Sequence, residues 1–460
     1  MKDQKAHFVF PSHDKSTMIM RRSSQPYNLL RLATYAREKI PSLEVRIHNE
    51  EITSKERIVQ NFNIGEWVFI SSNTLTYPNA LYFAKEAKKK DCKVCLGGIH
   101  VTYLPREVLQ NRPYVDYVGI GMGEKIIYNL LIGKKPEEIP GLAFKHNNEI
   151  IVNPPQSPQS ISLDRFPIAD RNLVDMQRYF QYFQEDVDYI PAKKLALTFW
   201  QNYCKWKEET WDEEKQEGGC NYCCLQNYRW NVMSPKKAVE ELEYLVKEFE
   251  VDYVYDGSDS ITGNTKWLEE FSKKKPREIN PFLAIHVRAD EINEKTARLL
   301  RNLNVYHVAM GIESFSNKCQ KSFRRGISRN QLFKAAELLG KYGIGILASM
   351  IEMAPGETRK DAEDNYKYAK EFYERFGKGW FGCATLLPVP GSKYYKMLLE
   401  KEPKYKREDL LNLSGMQRDF AKHFCPEPFA FYEAISSKIH TIAPVNRRGS
   451  FSDGAKNEIY

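Results

Sequence analysis

Short apolar runs alternate with amphipathic segments along nearly the whole chain, in two separate series, and no other feature of the sequence restricts the fold as tightly. The first series is HFVF (7–10), EVRIH (44–48), WVFISS (67–72), KVCLGG (93–98) and YVGIG (117–121). Between these runs Leu29, Leu30, Leu32, Ala33 and Ala36 fall on one helical face, and Ala80, Leu81, Phe83, Ala84 and Ala87 on another. Five strands with crossover helices imply an α/β unit: an open, doubly wound, Rossmann-like parallel sheet. Such sheets bind ligands beyond the carboxyl ends of their strands. Here those ends carry Ser71, Ser72, Asn73 and Thr74, then Gly97 and Gly98, then Gly121, Gly123 and Glu124. Glycines there let a ligand approach the backbone, although tight turns alone would use the same residues.

Residues 141–152 read as a hairpin turned at Asn147 and Asn148, and the stretch PPQSPQSIS that follows has a linker's composition. A boundary near residue 155 therefore divides a first domain, 1–155, from a linker and lead-in over 156–190. The second series then begins: LALTFW (195–200), VDYVYDG (251–257), FLAIHVR (282–288), YHVAMGIES (306–314), IGILASMIEM (344–353) and GWFGCATLL (379–387). Each run is followed by a helical pattern, the clearest opened by Ser234 and Pro235 as N-cap and first helical residue. Another is closed by Gly343. Six βα units are too few for an eight-fold barrel, so residues 191–400 are expected to form a partial, open (β/α)6 barrel with its site at the strands' C-terminal ends. Residues 401–460 read as helices rich in aromatics (Phe420, Phe424, Phe429, Phe431, Tyr432) and a loose tail.

Composition narrows the class. Apolar residues at 42% and charged residues at 28% of 460 exclude a disordered, collagen-like or coiled-coil chain. The longest apolar runs, residues 67–70 and 344–348, fall far short of the roughly 18–20 that span a bilayer, and MKDQKAHFVFPSHD lacks a signal peptide's apolar core. A soluble, cytoplasmic protein is expected. The net charge of +8, with lysine triplets at 88–90 and 273–275, fits solvated helix faces better than nucleic-acid binding. Nine cysteines are too few for a disulfide scaffold.

Four of those nine lie between residues 204 and 224: Cys204, Cys220, Cys223 and Cys224. They follow the first barrel strand directly. Cys220 and Cys223 have metal-ligand spacing, and Cys204 can return a third thiolate. A closed zinc site asks for four protein ligands, whereas a [4Fe-4S] cluster held by three leaves one iron open. Three ligands in a barrel mouth favour the cluster, and Cys224 keeps a four-ligand site open. Cys92, Cys95, Cys319, Cys383 and Cys425 are scattered and read as small buried hydrophobes.

The ordered blocks QPYNLLRLATYARE, SSNTLTYPNALYFAKEAKKK, CLGGIHVTYLPREVL, DYVGIGMGE and FPIADRNLVD, then CNYC, NYRWNVMSPKKAVEELEYLV, GSDSIT, HVRADEI, GIES, APGET and LLPVPGSKYY, resemble the radical S-adenosylmethionine (SAM) superfamily. The resemblance is to members with an N-terminal cobalamin-binding domain and covers residues 5–400. It implies that Cys204, Cys220 and Cys223 hold a [4Fe-4S] cluster and that Tyr222 packs near the SAM adenine. Arg288, Glu313 and Ser314 would meet the SAM carboxylate and ribose; Ser258, Asp259, Pro355 and Gly356 end neighbouring strands. Ser71, Ser72, Asn73, Thr74, Gly97, Gly98, Gly121, Gly123 and Glu124 fall in the blocks that line cobalamin.

Two departures stand out. The family's spacing is Cys-x3-Cys-x2-Cys, but here fifteen residues, KWKEETWDEEKQEGG, separate Cys204 from Cys220. Loop-closure entropy grows slowly with length, so the third ligand can still return. The insert either covers the site or is a solvated acidic excursion. The cobalamin signature Asp-x-His-x-x-Gly is also broken: PSHDKS leaves His13 near the ligand position, as an exposed loop residue rather than a cobalt ligand. His100, just past the glycines, suits a helix start better than a ligand.

The implied activity is reductive cleavage of SAM to a 5′-deoxyadenosyl radical, hydrogen abstraction from an unactivated carbon, and methyl transfer from methylcobalamin. It implies an electron donor such as flavodoxin or ferredoxin and a small-molecule or peptide substrate. The alternatives are a rearrangement, cyclisation or epimerisation without methyl transfer, and a non-catalytic binding or sensing protein.

Overall fold

A computed structural model describes residues 4–13, 21–155, 161–187, 190–215, 217–224, 231–376, 381–406 and 412–442. The expected tail, the middle of the Pro/Ser/Gln linker, and the start of the NYRWNVM block lie outside these residues.

The first sheet holds β1 (Lys5–Phe10), β2 (Glu44–Asn49), β3 (Trp67–Ser71), β4 (Lys93–Gly97), β5 (Tyr117–Gly119), β6 (Leu142–His146) and β7 (Glu149–Val152), in the order β2-β1-β3-β4-β5-β6-β7. The five expected strands are parallel. The expected hairpin does more than end the domain: β6 pairs antiparallel with β5, so seven strands share one sheet. Asn147 and Asn148 both take positive φ, 47° and 66°, as a tight two-residue turn requires.

Next come β8 (Ile161–Ser162), β9 (Leu195–Thr198), β10 (Gln201–Asn202), β11 (Asn231–Val232), β12 (Tyr253–Asp256), β13 (Phe282–Val287), β14 (Val305–Glu313), β15 (Gly345–Glu352) and β16 (Phe381–Thr385). Strands β9, β12, β13, β14, β15 and β16 are sequential parallel neighbours in one six-stranded sheet, the half-barrel that the sequence implies. Its first helix, Pro235–Phe249, starts where Ser234 accepts a hydrogen bond from the Lys237 N–H, and Gly343 closes a later one at φ 69°. Burial alternates along the strands. Ala196, Val254, Ile285, Val308 and Ala348 pack under the helices, while Leu197, Tyr255, His286, Ala309 and Ser349 on the other face stay half-exposed and line the barrel's interior.

The lead-in is a structural part of the barrel. Helix Met176–Asp186 plugs its lower end: Phe183, Val187 and Ile190 pack on Leu195, Tyr253 and Ala284, with the Phe183 and Tyr253 rings 5.9 Å apart. An open barrel also leaves edge strand β9 with unpaired backbone groups. Gln25 of the first domain answers them: its amide donates to the Leu195 carbonyl at 2.9 Å and accepts from the Leu197 N–H at 3.0 Å. A planar side-chain amide thus stands in for a missing peptide neighbour. The C-terminal helices Leu413–Phe424 and Phe429–His440 complete the core with fully buried Phe420 and Tyr432.

Candidate active site

At the first sheet's ligand edge the backbone does most of the shaping. Gly98 has φ 97°, and a Cβ there would lie 2.3 Å from the Ser72 carbonyl oxygen, so only glycine fits. Ser72 is buried, with its N–H and hydroxyl both donating to the Gly97 carbonyl at 2.9 and 3.2 Å. Asn73 and Thr76 bond reciprocally through side chain and backbone N–H at 2.9 and 3.0 Å. The absent Cβ of Gly97 faces open space, and the buried Nε2 of His100 has no partner. His100 sits in the helical turn Ile99–Thr102, with Nδ1 3.2 Å from the Thr74 hydroxyl, and burial lowers its pKa to about 3, so the ring is neutral. Open space over Gly97, an unsatisfied imidazole nitrogen and a glycine seam fit a large planar cofactor.

Three expected lining residues are held differently. Ser71 accepts from the Asn28 amide at 2.9 Å, and the Gly121 N–H donates to Thr102 at 3.3 Å. Glu124 is buried and pairs with Arg31 at 2.7 Å, behind Gly123, whose missing Cβ lies 3.1 Å from Leu32. Glu124 ties two helices together. Of His13, the carbonyl accepts from Arg21 at 2.9 Å.

Across from this edge lies the cysteine segment. Cys204 is the N-cap residue of helix Lys205–Glu209, reached from β10. Cys220 to Cys223 form a tight turn, the Cys223 N–H donating to the Cys220 carbonyl at 3.1 Å. Asn221 fixes that turn to the barrel: its N–H donates to the Phe323 carbonyl at 2.9 Å and its side-chain amide to that of Ser322 at 2.8 Å. All three thiols are partly exposed, and burial raises the pKa of Cys204 while the Lys207 N–H and the Arg288 charge oppose it. Cys204 also feels the charge of Cys220, so the two belong to one site. Among the described residues no three His, Cys, Asp or Glu side chains converge on a single metal ion. A cube binds one thiolate per iron, so its ligands stand apart; a donor set of three soft sulfurs, with Cys204 feeling the charge of Cys220, fits that chemistry.

Around the sulfurs is a charged network. Tyr222 donates its hydroxyl to Glu313 at 3.0 Å, and Arg325 donates to the same hydroxyl at 3.2 Å and to the Gly311 carbonyl at 2.5 Å. Glu313 holds a left-handed φ of 57° at the end of β14. Burial raises its pKa, and Arg325 and Tyr222 oppose the rise. Arg288 reaches Asp290 at 2.9 Å and the Arg325 carbonyl at 2.9 Å. Asp256 accepts from the Trp200 N–H at 3.0 Å, but its second oxygen has no partner, and burial raises its pKa to about 7. Asp259 is raised to about 7 as well, by burial and then by Asp256.

The structure therefore gathers Cys204, Cys220, Tyr222, Cys223, Arg288, Asp259 and Glu313. It gives the others internal partners: the Ser258 hydroxyl accepts from the Gln201 N–H at 2.8 Å, and Ser314 donates to Asn365 at 2.9 Å. The Pro355 carbonyl accepts from Ser322 at 3.0 Å, and the Gly356 N–H donates to the Phe424 carbonyl at 2.8 Å.

Sequence reasoning missed several participants. Arg325 and Lys207 are buried cations in no motif. Tyr255 and His286 face each other inside the barrel, hydroxyl to Nε2 at 2.8 Å. Tyr103, from the first domain, donates to the Cys224 carbonyl at 2.8 Å, and its ring occupies the space a Cβ on Gly391 would need, 2.3 Å away. Only strand alternation could have found His286; the others come together through tertiary folding.

Comparison with known proteins bears on both halves. Residues 23–131 match the B12 binding domain and residues 217–369 match the radical SAM superfamily. The chain is 26% identical over 409 residues to the uncharacterized methyltransferase PH0819 of Pyrococcus horikoshii, covering 86% of this chain and 83% of that one. It is also 26% identical over 334 residues to the anaerobic magnesium-protoporphyrin IX monomethyl ester cyclase of Rubrivivax gelatinosus, but spans only 56% of that protein's length, against 70% of its own. In fold it is similar to the radical S-adenosylmethionine methyltransferase TsrM of Kitasatospora setae with cobalamin and [4Fe-4S] cluster bound, at TM-score 0.68 and 15% identity over 86% of this chain and 75% of that one. The cobalamin-dependent radical enzyme OxsB is similar at TM-score 0.65 and 13% identity over 88% of this chain and 62% of that one. A radical SAM domain implies a [4Fe-4S] cluster and SAM, and a B12 binding domain implies cobalamin. No helix among the described residues is long and apolar enough to cross a membrane. The chain thus carries a B12 binding domain over residues 23–131 ahead of a radical SAM domain over residues 217–369, the combination found in cobalamin-dependent radical SAM enzymes of the same fold.

Proposed function

We propose that this protein is a C-methyltransferase that methylates an unactivated carbon. The observation that carries the reading is the facing of two strand-end surfaces, joined where Tyr103 of the first domain meets the Cys224 carbonyl in the cysteine loop. A cobalamin on the Ser72–Gly98 floor would look towards the barrel mouth, where the substrate enters. When bound, the cluster supplies one electron to cleave SAM, and cobalamin supplies the methyl group.

The chain's own residues bind, orient and exclude water. Cys204, Cys220 and Cys223 would hold the cluster. Glu313, fixed by Tyr222 and Arg325, would offer a carboxylate to the ribose of SAM, and Arg288 would offer a cation to its carboxylate. Leu197, Ala309 and Leu347 put apolar side chains on the same inner face as the Tyr255–His286 pair, a surface suited to a small molecule or a peptide side chain.

The similarity to the cyclase supports a second reading, ring closure or rearrangement without methyl transfer. Product mass separates the two. Anaerobically reconstituted enzyme with its substrate, SAM and a flavodoxin or ferredoxin donor should yield a product heavier by one methyl group. 5′-Deoxyadenosine accompanied by an unmethylated product would count against methyl transfer.

A further inference from the structure

A short run of chain leads from the glycine floor of the first domain to the cysteine loop of the barrel. It begins at Gly98, the N-cap of the helical turn Ile99–Thr102, and ends at Tyr103, the C-cap of the same turn. The turn is braced on the floor itself. The Thr102 hydroxyl donates to the Gly98 carbonyl at 2.9 Å and accepts from the Gly121 N–H at 3.3 Å, so one side chain ties two of the glycine strand ends together. The Tyr103 side chain then leaves its own domain and donates its hydroxyl to the Cys224 carbonyl at 2.8 Å.

Packing keeps the ring in place for that bond. Gly391, between β16 and the helix Lys393–Lys401, holds φ 90°, and a Cβ there would lie 2.3 Å from the Tyr103 ring. Only glycine lets the loop pass so close. The cysteine turn has its other tie on the barrel. The Asn221 N–H donates to the Phe323 carbonyl at 2.9 Å, its side-chain amide donates to the Ser322 carbonyl at 2.8 Å, and its own carbonyl accepts from the Tyr394 N–H at 3.2 Å. Cys223 therefore sits between two ties: Asn221 to the barrel, and Cys224 to the first domain.

We propose that Tyr103 is a positioning residue that couples the two cofactor sites. A corrinoid resting on the Ser72–Gly98 floor orders the turn Ile99–Thr102, and the Tyr103–Cys224 hydrogen bond passes that order to Cys223. The reverse follows by linkage: a cluster that fixes Cys223 steadies the turn and tightens the corrinoid. The two cofactors then load cooperatively, and a chain that holds one is better prepared for the other. The inference rests on the assignment of the corrinoid to that floor and of Cys223 as a cluster ligand. It involves no covalent or redox step.

The test compares the full chain with Tyr103→Phe, which keeps the ring against Gly391 and removes only the hydroxyl. Hydroxocobalamin affinity is measured anaerobically on cluster-loaded and iron-free protein, and iron loss to a ferrous chelator is followed with and without hydroxocobalamin. In the wild type the cluster should tighten hydroxocobalamin about fivefold, and hydroxocobalamin should slow iron loss by a similar factor. In Tyr103→Phe both differences should vanish. A Tyr103→Phe that keeps the full coupling overturns the proposal, as does a wild type in which neither cofactor affects the other. If Tyr103→Phe takes up no iron yet binds hydroxocobalamin as the iron-free wild type does, the hydroxyl is needed to hold the cysteine loop and the proposal stands. If it holds neither cofactor, the hydroxyl serves folding and the proposal fails. Wild-type protein that takes up no iron, or no hydroxocobalamin, refutes the cofactor assignments and the proposal with them.

Discussion

The two strand-end surfaces that face each other are built by opposite means. On the first domain the edge is mostly backbone and small side chains: Ser72 and Gly98 interlock, and Asn73 and Thr76 satisfy one another. On the barrel the edge is a set of buried charges, with Glu313, Arg325 and Tyr222 in one network and Asp256 carrying an unpartnered oxygen. A cofactor held by shape needs a close, neutral floor. A small charged cofactor with a redox cluster needs preset charges. Damage to the two edges should therefore separate cleanly.

The largest effect is expected on the barrel side. Cys223→Ala should abolish cluster assembly and SAM cleavage, measured as 5′-deoxyadenosine, while bound corrinoid is retained. Gly98→Val should do the reverse. A Cβ at φ 97° and 2.3 Å from the Ser72 oxygen forces the seam apart, with the backbone strain alone costing more than about 1 kcal/mol. Corrinoid absorbance should disappear with iron content unchanged; equal loss of both would erase the contrast.

A smaller effect concerns Asp256. Burial raises its pKa from 3.8 to about 7, so the folded chain keeps a proton that the unfolded chain releases. Its contribution is fully present below pH 3.8 and is lost as pH rises towards about 7. At about 1.4 kcal/mol per unit, urea unfolding of the apo-protein should show a decline of a few kcal/mol at most over that range. Asp256→Asn should lessen it, Asp259 supplying the remainder. Smallest is Tyr222→Phe, which removes the hydroxyl joining Glu313 to Arg325. SAM affinity by calorimetry should fall about tenfold, the equivalent of about 1.4 kcal/mol. An unchanged affinity would mean that Glu313 needs no such brace.

The contrast also explains what was legible in the sequence. Strands show as period-two and apolar runs, so both sheets, the hairpin at Asn147 and the six barrel strands could be read directly. Gly98 was legible because glycine marks a backbone constraint. The charged edge was only half legible: Cys220, Cys223 and Glu313 sit in local motifs, but Arg325 meets them only after the barrel closes. Pairing across the fold also gives expected lining residues internal partners that the sequence did not show: Glu124 pairs with Arg31, and Ser314 with Asn365. The insert after Cys204 looked acidic in composition, and only packing shows that its acids face out while Trp206 and Lys207 face in.

The central claim is that one chain holds an iron–sulfur cube and a corrinoid on facing edges, with Cys204 as the third ligand to the cube. The most direct measurement is anaerobic reconstitution of wild-type protein and Cys204→Ala, with iron, sulfide, zinc and corrinoid counted per chain on the same gel-filtered samples. The account predicts iron and sulfide in equal amounts together with corrinoid in the wild type, and corrinoid alone in Cys204→Ala. Stoichiometric zinc in place of iron, or a Cys204→Ala variant that keeps a full cluster and cleaves SAM, would contradict it.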